Sequence, residues 1–560
     1  MKTSIIISSL LLPLISSCTT RHHDASNKGT KERYISDVWV SDRGDGTYQN
    51  PVLYADYSDP DVCRVGDDFY MTASSFNCIP GLPILHSKDL VNWEIINYAV
   101  ERLTPAEQFD QPSHGNGIWA PSIRYHKGEF YIFWGDPDNG IYMVKTADPR
   151  GRWSAPHLVH RSKGIIDTCP LWDEDGRAWI GHGYAGSRTG LKSILGLIEM
   201  TPDGRGTIGE DRVIYDGHEE NVTIEGVKLY KRGRYYYILC PAGGVPTGYQ
   251  LAMRSETIDG PYEWKVVMAQ GNTTINGPHQ GAWVDTPDGE EHWFLHFQDL
   301  EAYGRVMHLN PIHWIDQWPV IGINAKEYCG EPVANYRKPD LPEQEIQTPV
   351  ESDLFESNRL GLQWQWHANA NALWYFADAA HHRLRLFSAP ITDNYANLWD
   401  VPNLLLQKFP APAFTATAHV RFTPTEKYKG ERAGLIIMGL DYAGLMLVNG
   451  DEGILLTQNS CSEAKKRTSE RINATDTCHI ASGDDVWLRV AVNKENSDAV
   501  CRFAVSHDGK SYAPLGEPFK AKPGQWIGAK VGLFITRNTN SNDGGWIDID
   551  DFIIDSSKAD

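Results

Sequence analysis

The chain has 560 residues, of which 41% are hydrophobic and 22% charged, a balance typical of folded rather than disordered proteins. This length exceeds one ordinary domain and predicts two. A formal net charge of −20 argues against a nucleic-acid partner, because phosphate backbones are bound by basic surfaces. The 19 Trp and 25 Tyr side chains suit either cores or flat stacking surfaces.

Residues 1–17 have the composition of a secretory signal peptide. They contain one Lys, a short apolar stretch and small residues, and the stretch is too short to span a membrane as a mature helix. The following ISSC resembles a bacterial lipobox with Cys18 as the lipidated residue, although Ile15 replaces the usual Leu. Residues 18–34 would then form a tether. We expect an exported lipoprotein, in the periplasm or at the cell surface, that touches the membrane only through its lipid; cleavage without lipidation is the alternative.

Eight more cysteines follow Cys18. None forms a CxxC pair or a cluster with histidine of the kind that binds zinc. In an exported protein Cys461 and Cys478 are one candidate disulfide, whereas mostly buried free thiols are equally compatible with the sequence.

A hairpin pattern occurs five times along the chain, and its first copy is VCRVGDDFYMTAS. Each copy has an apolar strand, a polar turn with a glycine, and an aromatic-rich strand. This repeat suits one four-stranded blade per copy and predicts a five-bladed β-propeller over residues 35–340. The turn glycines are Gly66, Gly128, Gly176, Gly233 and Gly289.

A polar or aromatic residue precedes each hairpin at nearly the same distance from its turn glycine. In a propeller the first strand of each blade lies nearest the axis, so these positions share one central cavity. Three carboxylates would meet there. The five residues are Asp59, Trp119, Asp167, Glu225 and His279.

From Ser352 onward the sequence alternates apolar and polar residues. In FTATAHVRF, for example, Phe414, Ala416 and Ala418 share one face with two later apolar residues. We predict a β-sandwich over residues 350–560, joined to the propeller by the Pro-rich RKPDLPEQEIQTPVES. The predicted fold is therefore all-β.

Carboxylates in one pocket suit glycoside hydrolysis, in which one activates water and another protonates the leaving oxygen. A third can raise the proton affinity of its neighbours. Nearby rings would stack on a sugar; we predict this role for Phe76, Trp119, Tyr125 and Trp134. Each residue taken alone is compatible with a structural role, and the shared register is what favours a site.

Several motifs, in order along the chain, closely resemble glycoside hydrolase family 43, which includes β-xylosidases and α-L-arabinofuranosidases. They include YSDPDVCRVGDDFYMTASSF, GIWAPSIRYHKGEFYIFW and IEGVKLYKRGRYYYILCPAGG. Residues 353–560 resemble the concanavalin-like sandwich that accompanies many β-xylosidases. The resemblance implies that Asp59 is the general base, Asp167 tunes the pKa and orients substrate, and Glu225 is the general acid.

The same resemblance implies further site residues. Trp119 matches a pocket aromatic and Arg305 an arginine that contacts substrate. His279 matches a cavity histidine that in some members lies beside calcium, so a structural calcium there is an expectation, while no cofactor is expected to be required. The usual DPS, IDPS and EGGT elements read DPD, IDTC and AGGV here, which leaves the three carboxylates intact and the preferred sugar open.

We therefore expect an exo-acting, inverting glycosidase that removes terminal α-L-arabinofuranosyl or β-D-xylosyl residues from plant polysaccharides or oligosaccharides. One alternative is exo-β-1,3-galactanase-like action, against which Asp59 argues because some such relatives lack this base. Another is a sugar-binding lipoprotein that has lost catalysis. The sandwich could also be a carbohydrate-binding module.

Overall fold

The computed structural model describes residues 33–538 and 542–556, and nearly all of its regular structure is β-strand. The predicted all-β fold, a five-bladed propeller followed by a sandwich, is confirmed. The predicted signal peptide and Cys18 lie outside the described residues. Among the described residues, no helix has the length and apolar character needed to cross a membrane.

The propeller consists of five four-stranded antiparallel blades, each built from strands that are consecutive in sequence. A short strand, β1 (Thr47–Gln49), precedes them. Blade 1 contains β2–β5: Asp61–Val65, Asp68–Thr72, Gly81–Ser87 and Glu94–Val100. Blade 2 contains β6–β9: Trp119–His126, Glu129–Asp136, Gly140–Thr146 and His157–Arg161. Blade 3 contains β10–β13: Ile165–Trp172, Ala178–Tyr184, Ile194–Met200 and Thr207–Asp216.

The last two blades continue the same pattern. Blade 4 contains β14–β17: Lys228–Arg232, Tyr235–Ala242, Tyr249–Ser255 and Glu263–Met268. Blade 5 contains β18–β21: His279–Asp285, His292–Asp299, Arg305–Ile315 and Trp318–Ile321. Three short strands follow, of which β22 and β23 extend blade 4 and β24 pairs with β1. They are Ile323–Lys326, Cys329–Glu331 and Asn335–Arg337.

The repeated hairpins form as predicted because their turn glycines supply backbone conformations that other residues adopt only at a cost. All five have positive φ, between 58° and 87°. Each glycine joins the first two strands of one blade, and apolar side chains of adjacent blades then pack into shared clusters. The sequence repeat thus sets both the hairpin and the blade.

The sandwich has two eight-stranded sheets. In the first sheet the main path is β25-β29-β39-β31-β32-β33-β34, and in the second it is β26-β27-β40-β30-β35-β36-β37. The predicted apolar face of β30 is buried throughout, with Phe414 and Ala416 fully inaccessible. The strands β25–β32 are Gln365–Trp366, Tyr375–Asp378, Arg383–Phe387, Ala389–Pro390, Leu405–Lys408, Ala413–Thr423, Arg432–Met438 and Tyr442–Gly450. The strands β33–β40 are Gly453–Cys461, Arg471–Ile480, Asp485–Glu495, Asp498–Ser506, Ala513–Pro514, Phe519–Lys520, Lys530–Arg537 and Trp546–Asp555.

Helical structure in the described residues is confined to short turns. Two are four-residue α-helices, α1 (Ala106–Phe109) and α2 (Gly186–Thr189). The others are 3-10 turns at Glu301–Tyr303, Ala379–His381, Leu398–Asp400 and Ala464–Lys466.

Propeller and sandwich belong to one compact unit and are joined by direct hydrogen bonds. The Asn77 amide donates to the carbonyl of His367 at 2.7 Å, and the Tyr98 hydroxyl donates to the carbonyl of Leu362 at 2.9 Å. These bonds come from blade 1, so the sandwich packs against this blade of the propeller.

The eight cysteines after Cys18 are all free thiols. Cys461 and Cys478, the candidate pair, lie on neighbouring strands, but Cys461 is opposite Tyr442 and Cys478 opposite Leu456 in the strand register. Because their backbones are not paired with each other, the disulfide interpretation is wrong and the free-thiol alternative holds.

Candidate active site

The first strand of each blade begins at a distortion of the backbone. One residue there has a φ in the left-handed region, which residues with a Cβ rarely adopt. In three blades the strand register also shifts at this point, as in a β-bulge, and bulges re-aim the neighbouring side chains. The same local distortion therefore places the site residues of separate blades around one cavity. The residues and φ angles are Asp59 (54°), Ala120 (24°), Asp167 (59°), Gly226 (68°) and Gln280 (38°).

Asp59 is a buried carboxylate held by three donors. The hydroxyls of Ser58 and Ser74 each donate to its Oδ2 at 2.6 Å. The Arg305 guanidinium lies 3.1 Å from Oδ1 and also donates to the Ser58 hydroxyl at 2.7 Å. Ser74 in turn accepts the backbone N–H of Ala120 at 2.8 Å. Hydroxyl and guanidinium donors fix one orientation of an anionic acceptor, as the base that activates a water must have.

The two acids on either side of Asp59 along the chain, Asp56 and Asp61, have different contacts. Asp56 accepts the backbone N–H of Arg305 at 2.9 Å and that of Gly528, from the sandwich, at 3.0 Å. Asp61 is fully buried and pairs with the Arg124 guanidinium. Asp59 therefore lies at the candidate site, Asp56 bonds across the domain interface, and Asp61 is paired inside the propeller.

Asp167 is nearly as buried as Asp59 and lies among like charges. Its Oδ2 accepts the N–H of Gly226 at 2.7 Å. Burial, followed by the negative charges of Glu225 and Asp59, raises the pKa of Asp167, while the Gly226 N–H and the Lys228 ammonium act in the opposite direction. Burial and like charge both favour the neutral acid, so this carboxyl retains a proton at pH values where an exposed Asp is ionised.

Lys228 places a buried positive charge behind the carboxyls. Its ammonium is fully buried and donates to the carbonyl of Pro121 at 2.6 Å and to the hydroxyl of Ser122 at 2.9 Å. It also lies 3.9 Å from Asp61. The cation offsets part of the negative charge in the cavity and ties blade 4 to blade 2.

Glu225 is the most accessible of the three carboxyls, with 34% of its side chain exposed. Its Oε1 lies 3.2 Å from Nε2 of His279, a fully buried ring. Nδ1 of that ring has no hydrogen-bond partner in the described part of the chain. An exposed carboxyl backed by a fixed histidine can reach a bound leaving group, whereas Asp167 cannot do so without displacing its neighbours.

Trp119 forms an aromatic rim with one ring from each domain. Its ring centroid lies 6.1 Å from that of Phe76 and 6.0 Å from that of Trp526, both edge-on. Phe76 is almost completely buried and so supports Trp119 from within, whereas Trp526 is 48% exposed. The indole N–H of Trp119 donates to the carbonyl of Gly115 at 2.9 Å, which fixes the ring. The sandwich thereby contributes a residue to the rim of the propeller cavity.

Two predicted sugar-stacking rings lie elsewhere. Trp134 is buried in the cluster between blades 1 and 2 and stacks on Tyr142 at 5.5 Å. Tyr125 is 43% exposed, six positions along β6 from Trp119, and packs on Phe130 at 4.9 Å. Both predictions are wrong, for different reasons. Each residue along β6 lies about 3.3 Å further from the start of the strand, which places Tyr125 away from the site. Trp134 lies beside Gly135, which pairs with Trp119, but its ring is buried between the blades.

Sequence reasoning missed Ser74, Lys228 and Trp526. A serine just after a strand and a lysine at the start of one carry no sequence signal of the distant residues that they contact. Trp526 follows Gln525 in a loop of the second domain, and an exposed Trp in a loop is a weak signal of function. Nothing in the sequence places it against Trp119.

The surroundings of His279 fit a calcium ion poorly. Calcium takes six to eight oxygen ligands, and the described neighbours of this ring include one carboxyl, Glu225, and the ring of Phe297 at 5.5 Å. In the described residues, three metal-ligating groups approach within 4.8 Å of one another at His419, Asp485 and Asp550, on the sandwich. Arg421 already pairs with both of these acids.

Glycoside hydrolases act with paired carboxyl groups in different environments. This site combines a fixed buried carboxylate, a buried acid with a raised pKa, a partly exposed carboxyl and aromatic rings. The profile of the glycosyl hydrolases family 43 matches residues 48–319, and that of the beta xylosidase C-terminal concanavalin A-like domain matches residues 352–555. The chain belongs to glycosyl hydrolase family 43.

Individual relatives agree with this assignment. A putative beta-xylosidase of Xylanibacter ruminicola is 37% identical over 88% of this chain and 87% of its own length. A non-reducing end alpha-L-arabinofuranosidase of Bacteroides ovatus is 27% identical over 90% of this chain and 94% of its own. The crystal structure of a family 43 protein of Bacillus licheniformis superimposes with a TM-score of 0.75 at 26% identity, covering 91% of this chain and all of that one.

Proposed function

We propose that this glycoside hydrolase removes single terminal pentoses, α-L-arabinofuranose or β-D-xylose, from plant polysaccharide fragments with inversion of the anomeric carbon. The observation that carries the proposal is the contrast between Asp59 and Glu225. Asp59 is buried and held as an acceptor by Arg305 and two serines, whereas Glu225 is open to the cavity. Two carboxyls held so differently suit two different proton-transfer roles.

In the proposed reaction Asp59 accepts a proton from a water that attacks the anomeric carbon. Glu225 donates a proton to the departing glycosidic oxygen, so the carbon–oxygen bond breaks as the new one forms. Asp167 adds a neighbouring acid with high proton affinity and, through Gly226, orients the segment that carries Glu225. Arg305 holds Asp59 and is expected to contact the sugar.

Trp119 and Trp526 support exo action. Rings from two domains meet at the rim, and a narrowed rim favours a chain end over the middle of a chain. The names of relatives include both xylosidases and an arabinofuranosidase, which supports the class of pentose and leaves the choice between the two to experiment. No metal is proposed for the reaction. Lipidation at Cys18, with export to the periplasm or cell surface, completes the proposal.

Proton NMR of a reaction with nitrophenyl α-L-arabinofuranoside and with nitrophenyl β-D-xyloside tests the proposal. The expected first product is β-L-arabinofuranose or α-D-xylose, seen before mutarotation. A retained anomer would mean that a carboxylate attacks carbon directly, which needs the two carboxyls only about 5–5.5 Å apart, and would remove Asp59 from the role of base. Failure to cleave either pentoside while a galactoside is cleaved would favour the galactanase-like alternative.

A further inference from the structure

A second pocket lies at the other ends of the inner strands, away from the catalytic carboxyls. It has a volume of about 230 Å³ and is lined by four of the five inner strands, through Arg64, Arg124, Tyr230, Lys231, Trp283 and Asp285 among others. Asp59 and Arg64 are separated by five positions along the chain. At about 3.3 Å per residue, this puts the pocket roughly 15 Å from the site of hydrolysis.

One wall of the pocket begins a row of aromatic rings. The centroid of Trp283 lies 5.0 Å from that of Tyr230, inside the pocket, and 5.1 Å from that of Trp314, outside it. The Arg232 guanidinium covers Trp314 at 4.1 Å. Trp283 and Trp314 are both half-buried, so each keeps an accessible part of its ring. Such flat apolar surfaces with polar edges suit a ligand that has apolar faces and polar edges, as a pyranose does.

The charged groups of the pocket are paired and cancel. Arg64 donates to Asp285 at 3.0 Å, Lys231 pairs with Asp173, and Arg124 pairs with Asp61. A phosphate or carboxylate ligand would therefore find no free positive charge and would be repelled by Asp285. A neutral polyol can instead accept hydrogen bonds from the guanidinium groups and donate them to the Asp285 carboxylate. The side chain of Asp285 is 40% exposed.

A purely structural role for these rings would be to close the junction between blades 4 and 5. That role requires contact at the junction, and it is fulfilled by Tyr230, whose hydroxyl accepts the backbone N–H of Trp283 at 2.9 Å. It does not require an open volume in front of the rings. The volume, the accessible ring edges and the exposed Arg64–Asp285 pair together indicate a ligand.

We propose that this pocket is a second carbohydrate-binding site, which binds an internal, neutral stretch of a polysaccharide chain and performs no chemistry. Binding there would hold the protein on its polymer while chain ends are removed in the catalytic cavity. The choice of a xylan-type ligand rests on the proposed function, whereas the presence of a sugar site at Trp283 does not.

Calorimetric titration with xylohexaose tests the proposal. The Glu225→Gln protein, which should consume the probe at least about 10²-fold more slowly, is expected to bind two molecules per chain. Addition of Trp283→Ala should leave one, and Asp285→Asn should weaken the second site at least tenfold. Asp285→Asn preserves the packing of the pocket, so it still tests the proposal if the Trp283→Ala protein does not fold. Phe376→Ala, which removes a ring 54% exposed on the sandwich, is the matched control and should change nothing.

Kinetics with otherwise unmodified protein separate this site from the catalytic one. Trp283→Ala and Asp285→Asn should cleave a nitrophenyl pentoside at the normal rate and insoluble arabinoxylan several-fold more slowly. A single site in Glu225→Gln that neither pocket variant affects would overturn the proposal, as would Trp283-dependent binding of inorganic phosphate. If the proposed function fails instead, pentosides are not cleaved, but Trp283-dependent binding of a neutral glycan persists.

Discussion

The Asp167 carboxyl is expected to reduce the stability of the folded protein, and Asp167→Asn measures by how much. Asn has the size of Asp and also tolerates the positive φ of 59° found here. Its amide oxygen can accept the Gly226 N–H that Asp167 now accepts at 2.7 Å. The substitution therefore removes a charge and leaves the local geometry in place.

The magnitude follows from the shifted pKa. Burial and the charges of Glu225 and Asp59 raise the pKa of Asp167 from 3.8 to about 7. Because the folded value lies above the unfolded one, the folded state binds this proton more tightly, and its stability falls as pH rises from about 4 to 7. At about 1.4 kcal/mol per pH unit, the full loss is on the order of 4 kcal/mol. Proton sharing among the three carboxyls lowers the expected value to roughly 2–4 kcal/mol.

Urea unfolding followed by tryptophan fluorescence at pH 5 and pH 8 is the assay. At pH 8 the free energy of unfolding of the Asp167→Asn protein should exceed that of the original protein by roughly 2–4 kcal/mol. At pH 5 the difference should be less than half as large. The substitution should also abolish activity. Asp173→Asn is the control of opposite sign, since Lys231 and Tyr236 hold the pKa of Asp173 below its ordinary value despite burial. An Asp167→Asn gain that is equal at both pH values would refute the reasoning.

Three further outcomes are expected. Glu225→Gln should lose about 10²–10⁴-fold in rate on natural substrates and much less on aryl glycosides with good leaving groups; equal losses would exclude Glu225 as general acid. Trp526→Ala should raise KM for oligosaccharides more than it lowers kcat, because this ring borders the rim and touches no carboxyl, and an unchanged KM would contradict a rim role. Cys18→Ala should move the protein from the membrane to the soluble fraction, since acyl chains supply the anchoring; membrane association that persists would argue against lipidation.

The propeller could be predicted because its signal is local and repeated. Each blade places a glycine in the same turn, as at Gly66 and Gly128, and every hairpin is complete within about 15 residues of sequence. The three carboxylates could be found for the same reason, since a similar distance from the turn glycine places each near the start of an inner strand. The repeated hairpin therefore allowed the positions of the three carboxylates to be predicted from the sequence.

The remaining parts of the site depend on contacts between distant segments. Arg305 was predicted through family resemblance. Ser74 reaches Asp59 within blade 1, and Lys228 reaches Asp61 and Pro121 from blade 4; no local sequence pattern describes either set of contacts. Tyr125 and Trp134 show the opposite error: Tyr125 lies six residues along β6 from Trp119, and the ring of Trp134 is buried between blades. The prediction of a Cys461–Cys478 disulfide was wrong for a related reason, because the strand register decides which residues lie opposite each other.

The loop before β39 joins the sandwich to the propeller beside Trp119. Trp526 meets Trp119, and within three residues the Gly528 and Ala529 N–H groups bond to Asp56 and to Ala302 of the propeller. A truncated protein ending at the linker would keep all three carboxylates but lose this side of the rim. Exchange of the second domain between related enzymes is therefore a route to altered substrate preference that leaves every proton-transfer residue untouched.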